Sequence, residues 1–284
     1  GVDKNKAEPA APQWSASVYF DPKTKYIWDM LIDHGGNLFV ATGDHGEIYR
    51  IASNGTGSLF FKSDEVHIRR IALDPNGSLI AGSDGSGLVY RISPSGQGFV
   101  LYSAPKKEIT ALAIDKSGNI YAAASGERRP GAATATGIVT SVSPPPSALP
   151  AGTQPTIAVG ATPPLAGNVP FPAPGLGATA GSEIYRIAPD GSPTRIWTSR
   201  EDLVYALSFD EAGRLIVGSG NRGHIFSIRG EDDFTDLVKA SATQVTAFAK
   251  APSGLYVSTS NLGKLFLLGS APETEGTYES DVFD

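Results

Sequence analysis

A repeat of about 41 residues is the feature that most constrains what this chain can fold into. A phrase with a polar turn, a glycine and a run of apolar residues occurs five times, as in "LIDHGGNLFVATG" and "ALDPNGSLIAGS". The first turn residues are Asp33, Asp74, Asp115, Asp210 and Ala251. They are separated by 41, 41, 95 and 41 residues, so one unit carries an insertion of about 54 residues. A period of this length is typical of stacked repeat architectures.

Two shorter phrases recur within each unit and define its strands. The first reads "GEIYRI", "GLVYRI", "SEIYRI", "GHIFSI" and "GKLFLL", and the second reads "SLFF", "FVLY", "TRIW" and "TDLV". Apolar residues alternate in both, turn residues flank them, and no segment keeps a helical period of 3.6. Each unit contains four strands, called a, b, c and d in chain order. Four strands per unit predict an all-β fold, a β-propeller of four-stranded antiparallel blades. Neighbouring blades must pack on each other because one blade cannot bury both of its faces.

The order of the strands predicts how the ring closes. Residues 17–20, "SVYF", lie as far before Asp33 as the outermost strand, strand d, lies before the later turns. The chain thus begins with a strand d and ends with strands a, b and c, which predicts five blades closed by a mixed terminal blade. The segment "GTYESDVF" competes for that place, but it is more acidic and begins later. Part of a six- or seven-bladed propeller is the alternative.

The predicted domain organisation follows from changes in composition. Residues 1–15 form a polar tether, 16–270 form a single propeller domain, and 271–284 form an acidic tail. A low-complexity insertion rich in Pro, Ala, Gly and Thr covers about 127–181, in the connection between strands b and c of the third blade. It contains 11 of the 21 prolines. It is either a tolerated surface insertion or a flap over the face that carries the b–c turns.

Bulk composition limits the classes of partner. The net charge is -6, so no overall basic field attracts nucleic acid. No apolar run is long enough to span a bilayer, and we expect no membrane insertion. Cysteine is absent, which excludes disulfides and thiolate metal sites. The segment "KNKAEPAAP" resembles tethers that follow a cleaved export signal, so we expect a periplasmic or cell-surface protein. The oligomeric state is left open.

No catalytic or metal-binding motif emerges from the spacing of polar residues. The stretch "GDHGEIYRI" brings Asp44, His45 and Glu47 together, but it has counterparts in the other units. Asp84, Asn221 and Asn261 fill the place of Asp44, and a tight hairpin explains such residues without a ligand. We therefore expect no catalytic residue, no metal and no cofactor.

The first residues of strand a and the b–c turns supply the candidate ligand- or partner-binding residues. Strand a is apolar except at one varied position and the residue that follows it, which face the predicted channel mouth. Trp28 and Tyr205 offer stacking faces there, and Arg69 and Arg70 offer an anion clamp. The alternative is that both arginines pair with Asp29 or Glu65 and seal the channel. The full set of candidates is Trp28, Asp29, Arg69, Arg70, Tyr205, His45, Glu47, Arg222 and His224.

The pattern "D-x-x-G-x-L-x-x-G-S" followed by "G-x-I-Y-R-I" resembles the repeats of bacterial NHL-like and related extracytoplasmic sensor propellers. The resemblance covers about residues 16–268 without the insertion, and the WD dipeptide of typical WD40 repeats is not in its usual place. It implies a propeller and no particular activity, since propellers host many unrelated functions. We expect a non-catalytic binding or scaffold module for a protein, or for a small anionic or glycan ligand. A propeller hydrolase or lyase acting on a sugar or lactone is one alternative, and the sensor domain of a longer receptor is another.

Overall fold

The computed structural model describes residues 15–128, 181–230 and 233–269. Within these ranges the chain forms 19 strands and no helix. The predicted all-β architecture of antiparallel four-stranded blades is confirmed: strands a, b, c and d follow one another in each sheet in chain order. Strand a of each blade lies beside strand a of the next blade.

The first two blades are complete in the structure. Blade 1 contains β1 (Ile27–Ile32), β2 (Leu38–Thr42), β3 (Glu47–Ile51) and β4 (Gly57–Lys62). Blade 2 contains β5 (His67–Leu73), β6 (Leu79–Asp84), β7 (Leu88–Ile92) and β8 (Gly98–Ser103). A single bridge between Asp84 and Glu108 joins blade 2 to blade 3.

Blades 3 and 4 also have four strands, and blade 5 has three among the described residues. Blade 3 contains β9 (Lys106–Ile114), β10 (Ile120–Arg128), β11 (Glu183–Ile187) and β12 (Pro193–Thr198). Blade 4 contains β13 (Val204–Phe209), β14 (Leu215–Ser219), β15 (His224–Gly230) and β16 (Asp233–Lys239). Blade 5 contains β17 (Gln244–Ala251), β18 (Gly254–Ser260) and β19 (Leu265–Leu268), and no fourth strand within the described residues.

The core is distributed over the interfaces between blades. In blades 2, 3 and 4 the aromatic residue of strand c packs on a residue of the preceding strand d, as Tyr90 does on Phe61 with ring centroids 5.5 Å apart. The same contact joins Tyr102 to Tyr185 at 5.1 Å and Trp197 to Phe226 at 5.6 Å. The recurrence of this aromatic residue once per blade therefore reflects packing between blades.

Two turn glycines allow consecutive blades to approach closely. A Cβ atom added at Gly46 would lie 1.9 Å from the Glu65 carbonyl oxygen, and one at Gly87 would lie 1.9 Å from that of Lys106. Both glycines also adopt positive φ angles, 61° and 60°. Only glycine combines this conformation with so short a backbone contact, so the d–a connection of one blade passes directly over the b–c turn.

One turn residue was aligned wrongly from the sequence. Asp44 and Asn261 have the expected left-handed conformation, with φ of 76° and 59°. Asp84, however, is the last residue of β6, and Gly85, with φ of 126°, takes the place of Asp44. Glycine reaches positive φ without a steric penalty, so this turn needs no Asp or Asn.

The predicted closing segment, residues 17–20, forms no strand but packs on blade 1. The Tyr19 hydroxyl donates a hydrogen bond to the Ala52 carbonyl oxygen at 3.0 Å, and Phe20 packs on Tyr49 with ring centroids 5.4 Å apart. Among the described residues, β19 pairs with β18 alone. Closure by this segment and a total of five blades remain predictions. Nearly all of the tether, nearly all of the insertion and the whole acidic tail lie outside the described residues.

Candidate functional site

Each of the five blades has a β-bulge near the start of strand a. At this point one residue of strand a has no partner, while its two neighbours pair with consecutive residues of strand b. The five unpaired residues, called here the bulge ring, are Trp28, Arg69, Thr110, Tyr205 and Thr246. Bulges redirect side chains and are frequent next to active sites. Because strand a is innermost and begins on the same face as the b–c turns, these five residues line the mouth of the predicted channel on that face.

Two members of the bulge ring are in direct contact. The Arg69 guanidinium carbon lies 3.9 Å from the centroid of the Trp28 ring, within the range of a cation–π interaction. Arg69 Nε and Nη2 each lie 2.9 Å from Glu108 Oε1. The guanidinium is thus held between an aromatic face and a carboxylate, and both charged side chains remain partly exposed, at 29% and 26%.

Aromatic and histidine rings extend this group on the side of blade 1. Tyr26 stacks on Trp28 with an angle of 13° between the ring planes. Trp28 Nε1 donates a hydrogen bond to His67 Nδ1 at 3.3 Å. The mouth cluster is defined here as Tyr26, Trp28, His67, Arg69, Glu108 and Tyr205.

Tyr205 completes the mouth cluster from blade 4. Burial raises the pKa of its hydroxyl, and the Glu108 carboxylate raises it further, while Arg69 acts in the opposite direction. Its ring packs against Gly220, where an added Cβ would be 2.0 Å from Tyr205 Cδ2. Gly43, at the same repeat position in blade 1, makes room for Trp28 in the same way, with 2.7 Å to Trp28 Nε1. The two bulged aromatic residues therefore each depend on a glycine at the end of strand b.

The two threonines of the bulge ring have structural contacts instead. Thr110 is buried, and its hydroxyl donates to the carbonyl oxygen of Val204 at 2.5 Å. The Thr246 hydroxyl donates to the Ser258 carbonyl oxygen within its own blade at 3.1 Å. The side of the mouth that is suited to a ligand is thus formed by blades 1, 2, 3 and 4.

Asp29 and Arg70, the residues that follow the bulge, link blades instead of lining the mouth cluster. Asp29 Oδ2 accepts a hydrogen bond from the Ile71 backbone amide at 2.9 Å. Burial raises the pKa of Asp29, and its hydrogen bonds and the charge of Arg70 oppose this. Arg70 Nε donates to the Thr110 carbonyl oxygen at 2.7 Å. From the sequence, Asp29 and Arg70 were predicted to be among the binding residues. In the structure they instead form hydrogen bonds between the a strands of neighbouring blades.

Glu47 and His224 occupy one repeat position at the start of strand c. Glu47 accepts from the Tyr49 hydroxyl at 2.9 Å and pairs with Lys62 at 3.1 Å. Glu183 of blade 3 is arranged in the same way with Tyr185 and Arg128. His224 stacks on Phe226 and contacts Asp236 at 2.5 Å. These contacts hold strand c, away from the mouth cluster.

The last two candidates lie on the b–c turns. His45 is exposed on the turn of blade 1, and Arg222 of blade 4 pairs with Glu201 of the preceding d–a connection. The structure therefore brings Trp28, Arg69 and Tyr205 together but places the other six candidates at separate positions.

Three members of the mouth cluster were missed from the sequence. Tyr26, His67 and Glu108 stand two residues before the bulge in blades 1, 2 and 3. Leu203 and Gln244 occupy this position in the other blades, so it varies from unit to unit as the bulge position does. That second varied position was the available signal.

The described ranges contain no group of three or more His, Asp or Glu side chains arranged to hold a metal ion. No helix long and apolar enough to cross a membrane is found in the part of the chain that the structure describes.

Comparisons with known proteins identify the fold of this chain. No protein-family model matches the chain, and no curated protein matches it by sequence. Among solved structures, a gluconolactonase from Xanthomonas campestris is 16% identical with a TM-score of 0.53, covering 82% of this chain and 69% of its own. A structure described as a putative gluconolactonase is 14% identical with a TM-score of 0.54, covering 86% of this chain and 76% of its own.

Two further similar structures are described as a lyase and as a nidogen/laminin complex. A catalytically inactive virginiamycin B lyase from Staphylococcus aureus, solved with quinupristin, is 10% identical with a TM-score of 0.55, over 87% of this chain and 71% of the lyase. A nidogen/laminin complex gives 13% identity and a TM-score of 0.56, over 82% of this chain and 72% of the matched chain. These neighbours are propeller-type proteins, and at such low identity they show the fold alone. The chain is a β-propeller.

Proposed function

We propose that this protein is a non-catalytic binding module that takes an acidic oligosaccharide at the mouth cluster. The observation that carries the proposal is the bulge ring: the backbone redirects one residue per blade to the mouth, and the residue types there differ between blades. Positions that serve only packing keep similar residues in every unit. A position with conserved geometry and varied chemistry is where a repeat fold presents a binding surface.

The chemistry of the mouth cluster suits a ligand with flat apolar faces and a carboxylate. Tyr26, which is 44% exposed and stacks on Trp28, and Tyr205 offer ring faces that pack against the C–H face of a sugar. Arg69 is already oriented by Glu108 and Trp28, and a planar guanidinium binds a second carboxylate in bidentate geometry. A uronic acid combines both features. An exported location, periplasmic or at the cell surface, is part of the proposal and fits this class of ligand, and the same site would serve the sensor domain of a longer receptor.

A propeller hydrolase or lyase acting on a sugar or lactone is the second candidate. It is favoured by the structural neighbours that are described as gluconolactonases and as a lyase. The binding module is preferred because Arg69 and Glu108, the charged groups of the mouth cluster, form an ion pair with each other. Arg69 also packs on the Trp28 ring, so these side chains together form a surface.

Isothermal titration calorimetry with tetragalacturonic acid and its fully methyl-esterified form tests the proposal. We expect the acid to bind more tightly than the ester. Trp28→Ala should weaken both by about tenfold or more, which corresponds to about 1.4 kcal/mol, and Arg69→Ala should remove the preference for the acid. Arg229→Ala, which removes an exposed arginine of blade 4 outside the mouth cluster, should leave binding unchanged.

Two results would decide against a binding module of this kind. Equal binding by wild type, Trp28→Ala and Arg69→Ala would place the ligand elsewhere. Release of shortened or unsaturated products during incubation, detected by chromatography, would support the hydrolase or lyase instead.

A further inference from the structure

A cavity lies between blade 4 and blade 5, on the face opposite the mouth cluster. It has a volume of about 620 Å³, and the a–b turns of both blades form its rim. Its apolar wall comes from both blades and consists of Phe209, Ile216, Leu237, Leu255 and Leu268. The volume falls within the range of small-molecule sites, about 300–1,000 Å³.

The equivalent groove between blades 1 and 2 is smaller, with a volume of about 240 Å³. Phe39, Arg50 and Phe60 of blade 1 and Leu73 of blade 2 line it. Phe39 packs edge-on against Phe60 with ring centroids 4.9 Å apart. The Arg50 guanidinium carbon lies 6.0 Å from the centroid of the Phe39 ring. Large side chains thus occupy the space between these two blades.

Four substitutions at equivalent repeat positions account for the larger cavity. The pairing of the strands identifies the residues of blades 4 and 5 that take the places of Phe39, Arg50, Phe60 and Leu73. In the same order, they are Ile216, Ser227, Leu237 and Lys250. Isoleucine, serine and leucine replace two phenylalanines and an arginine, so the groove contains less side-chain volume here.

The change at Ser227 removes the arginine of the recurring Tyr-Arg-Ile phrase. In blade 2 this arginine, Arg91, donates from Nη1 to the Pro189 carbonyl oxygen of the next blade at 3.1 Å. Ser227 is buried and pairs with Ile216, which lines the cavity. Its hydroxyl has no hydrogen-bond partner among the described residues. A short side chain therefore stands where the other complete blades carry a long cationic one.

The change at Lys250 brings a positive charge to a position that is apolar in the preceding blades. Leu73, Ile114 and Phe209 occupy it in blades 2, 3 and 4. Lys250 Nζ lies 5.8 Å from the centroid of the Phe209 ring, so its aliphatic stem runs along the apolar wall. In the part of the chain that the structure describes, Lys250 forms no ion pair.

The other charged groups of the rim leave Lys250 available to an anion. Asp210 Oδ1 accepts a hydrogen bond from the Arg214 backbone amide at 2.8 Å, and Oδ2 accepts one from Arg214 Nε at 2.6 Å. This carboxylate is therefore engaged by Arg214. Glu211 is exposed on the a–b turn. The cation that touches the apolar wall is Lys250.

We propose that the cavity between blades 4 and 5 binds a small amphipathic carboxylic acid, such as a medium-chain fatty acid. The apolar wall takes the hydrocarbon body, and Lys250 binds the carboxylate through a charge-assisted hydrogen bond. A neutral ligand of the same shape gains only the first of these contacts, and a cationic one is repelled by Lys250. The site is separate from the mouth cluster and does not depend on the function proposed for it.

Titration calorimetry with octanoate and octanol tests the role of Lys250. We expect the wild type to bind octanoate about three- to tenfold more tightly than octanol. Lys250→Met keeps the apolar stem and should remove this preference, with binding of octanol retained. Lys264→Met, which removes an exposed lysine of blade 5 outside the cavity, should keep the preference. Equal affinity of the wild type for the two ligands, or no binding of octanoate, overturns the proposal.

Two variants of Ser227 test the location of the site. Ser227→Arg restores the arginine of the other complete blades and should abolish binding of both ligands. Ser227→Ala keeps the cavity and should bind both as the wild type does. Thermal unfolding verifies that each variant is folded, and if Ser227→Arg is not, the comparison of Lys250→Met with Lys264→Met decides. Binding of octanoate to folded Ser227→Arg with unchanged affinity would place the ligand elsewhere and refute the proposal.

Discussion

A glutamate at the start of strand c recurs in blades 1 and 3 and shows how single residues fix a blade. Glu47 and Glu183 each accept a hydrogen bond from the tyrosine two residues later in the same strand. Burial raises the pKa of Tyr49, and the bond to Glu47 raises it further. Burial would also raise the pKa of Glu47, but the hydrogen bonds from Tyr49 and Lys62 prevail and hold it below its ordinary value.

The pH dependence of stability should report on Glu47. A carboxylate whose pKa is lowered on folding stabilises the protein above the pKa of the unfolded chain, and this contribution is lost as the pH falls through the folded-state pKa. Glu47→Gln should therefore reduce the free energy of unfolding by about 1–2 kcal/mol at pH 7. The difference should disappear as the pH falls below about 4, and urea unfolding at a series of pH values measures it.

The control for this experiment is Glu211→Gln, which changes an exposed residue of the a–b turn in blade 4. It should have little effect at any pH. A difference between wild type and Glu47→Gln that is constant with pH would show that the carboxylate contributes only through its shape.

The glycine under Tyr205 provides a second test at the scale of one residue. Gly220→Ala would place a methyl group 2.0 Å from the Tyr205 ring, so we expect a loss of about 1–3 kcal/mol in the free energy of unfolding. Gly263→Ala, on the b–c turn of blade 5, meets no atom within 4 Å and should change stability by less than about 0.5 kcal/mol. Equal effects in thermal unfolding would mean that Tyr205 does not pack on Gly220.

At the scale of elements, the strands a are joined by a series of hydrogen bonds around the channel. Asp29 accepts from Ile71, Arg70 donates to the carbonyl oxygen of Thr110, and the Thr110 hydroxyl donates to that of Val204. These bonds connect blades 1 to 2, 2 to 3 and 3 to 4. Each originates at the bulge or at the residue after it, so the bulge both exposes the mouth residues and orients the links between blades.

Replacement of a bulged threonine should separate these two roles. Thr110→Val keeps the shape but leaves the buried Val204 carbonyl oxygen without the hydroxyl donor, and we expect a loss of about 1–3 kcal/mol. Thr246→Val, at the same repeat position, removes a bond within one blade and should cost less than about 1 kcal/mol. Chemical denaturation measures both. A cost for Thr246→Val equal to that for Thr110→Val would contradict a link between blades at Thr110.

The repeat made the strands predictable, but it could not show the bulges. Alternation and turn residues identify β2 or β7 because each residue's environment depends on its own strand. The bulge at Arg69 is a property of register between two strands, which sequence alone does not contain. For the same reason Asp29 and Arg70 were grouped with Trp28 and Arg69, although one step along a bulged strand changes what a side chain faces.

At the scale of the whole molecule, the propeller combines a mouth on one face with exposed apolar residues on its first and last described blades. The mouth cluster draws its residues from blades 1 to 4, while Ile27 and Met30 of β1 and Leu265 of β19 are exposed. The two surfaces depend on different contacts, so Leu265 can be substituted without disturbing Arg69 or Tyr205.

The affinity of Glu108→Gln for tetragalacturonic acid tests the central claim most directly. In the wild type the Glu108 carboxylate orients Arg69 but also offsets its positive charge and repels the ligand carboxylate; glutamine keeps a hydrogen-bond acceptor and removes that negative charge. Its removal should tighten binding of the acid about three- to tenfold, or about 0.7–1.4 kcal/mol, and leave the methyl ester unchanged. If titration calorimetry gives Glu108→Gln the same affinity as the wild type for the acid as well as for the ester, the result contradicts an anion-binding role for Arg69 at the mouth.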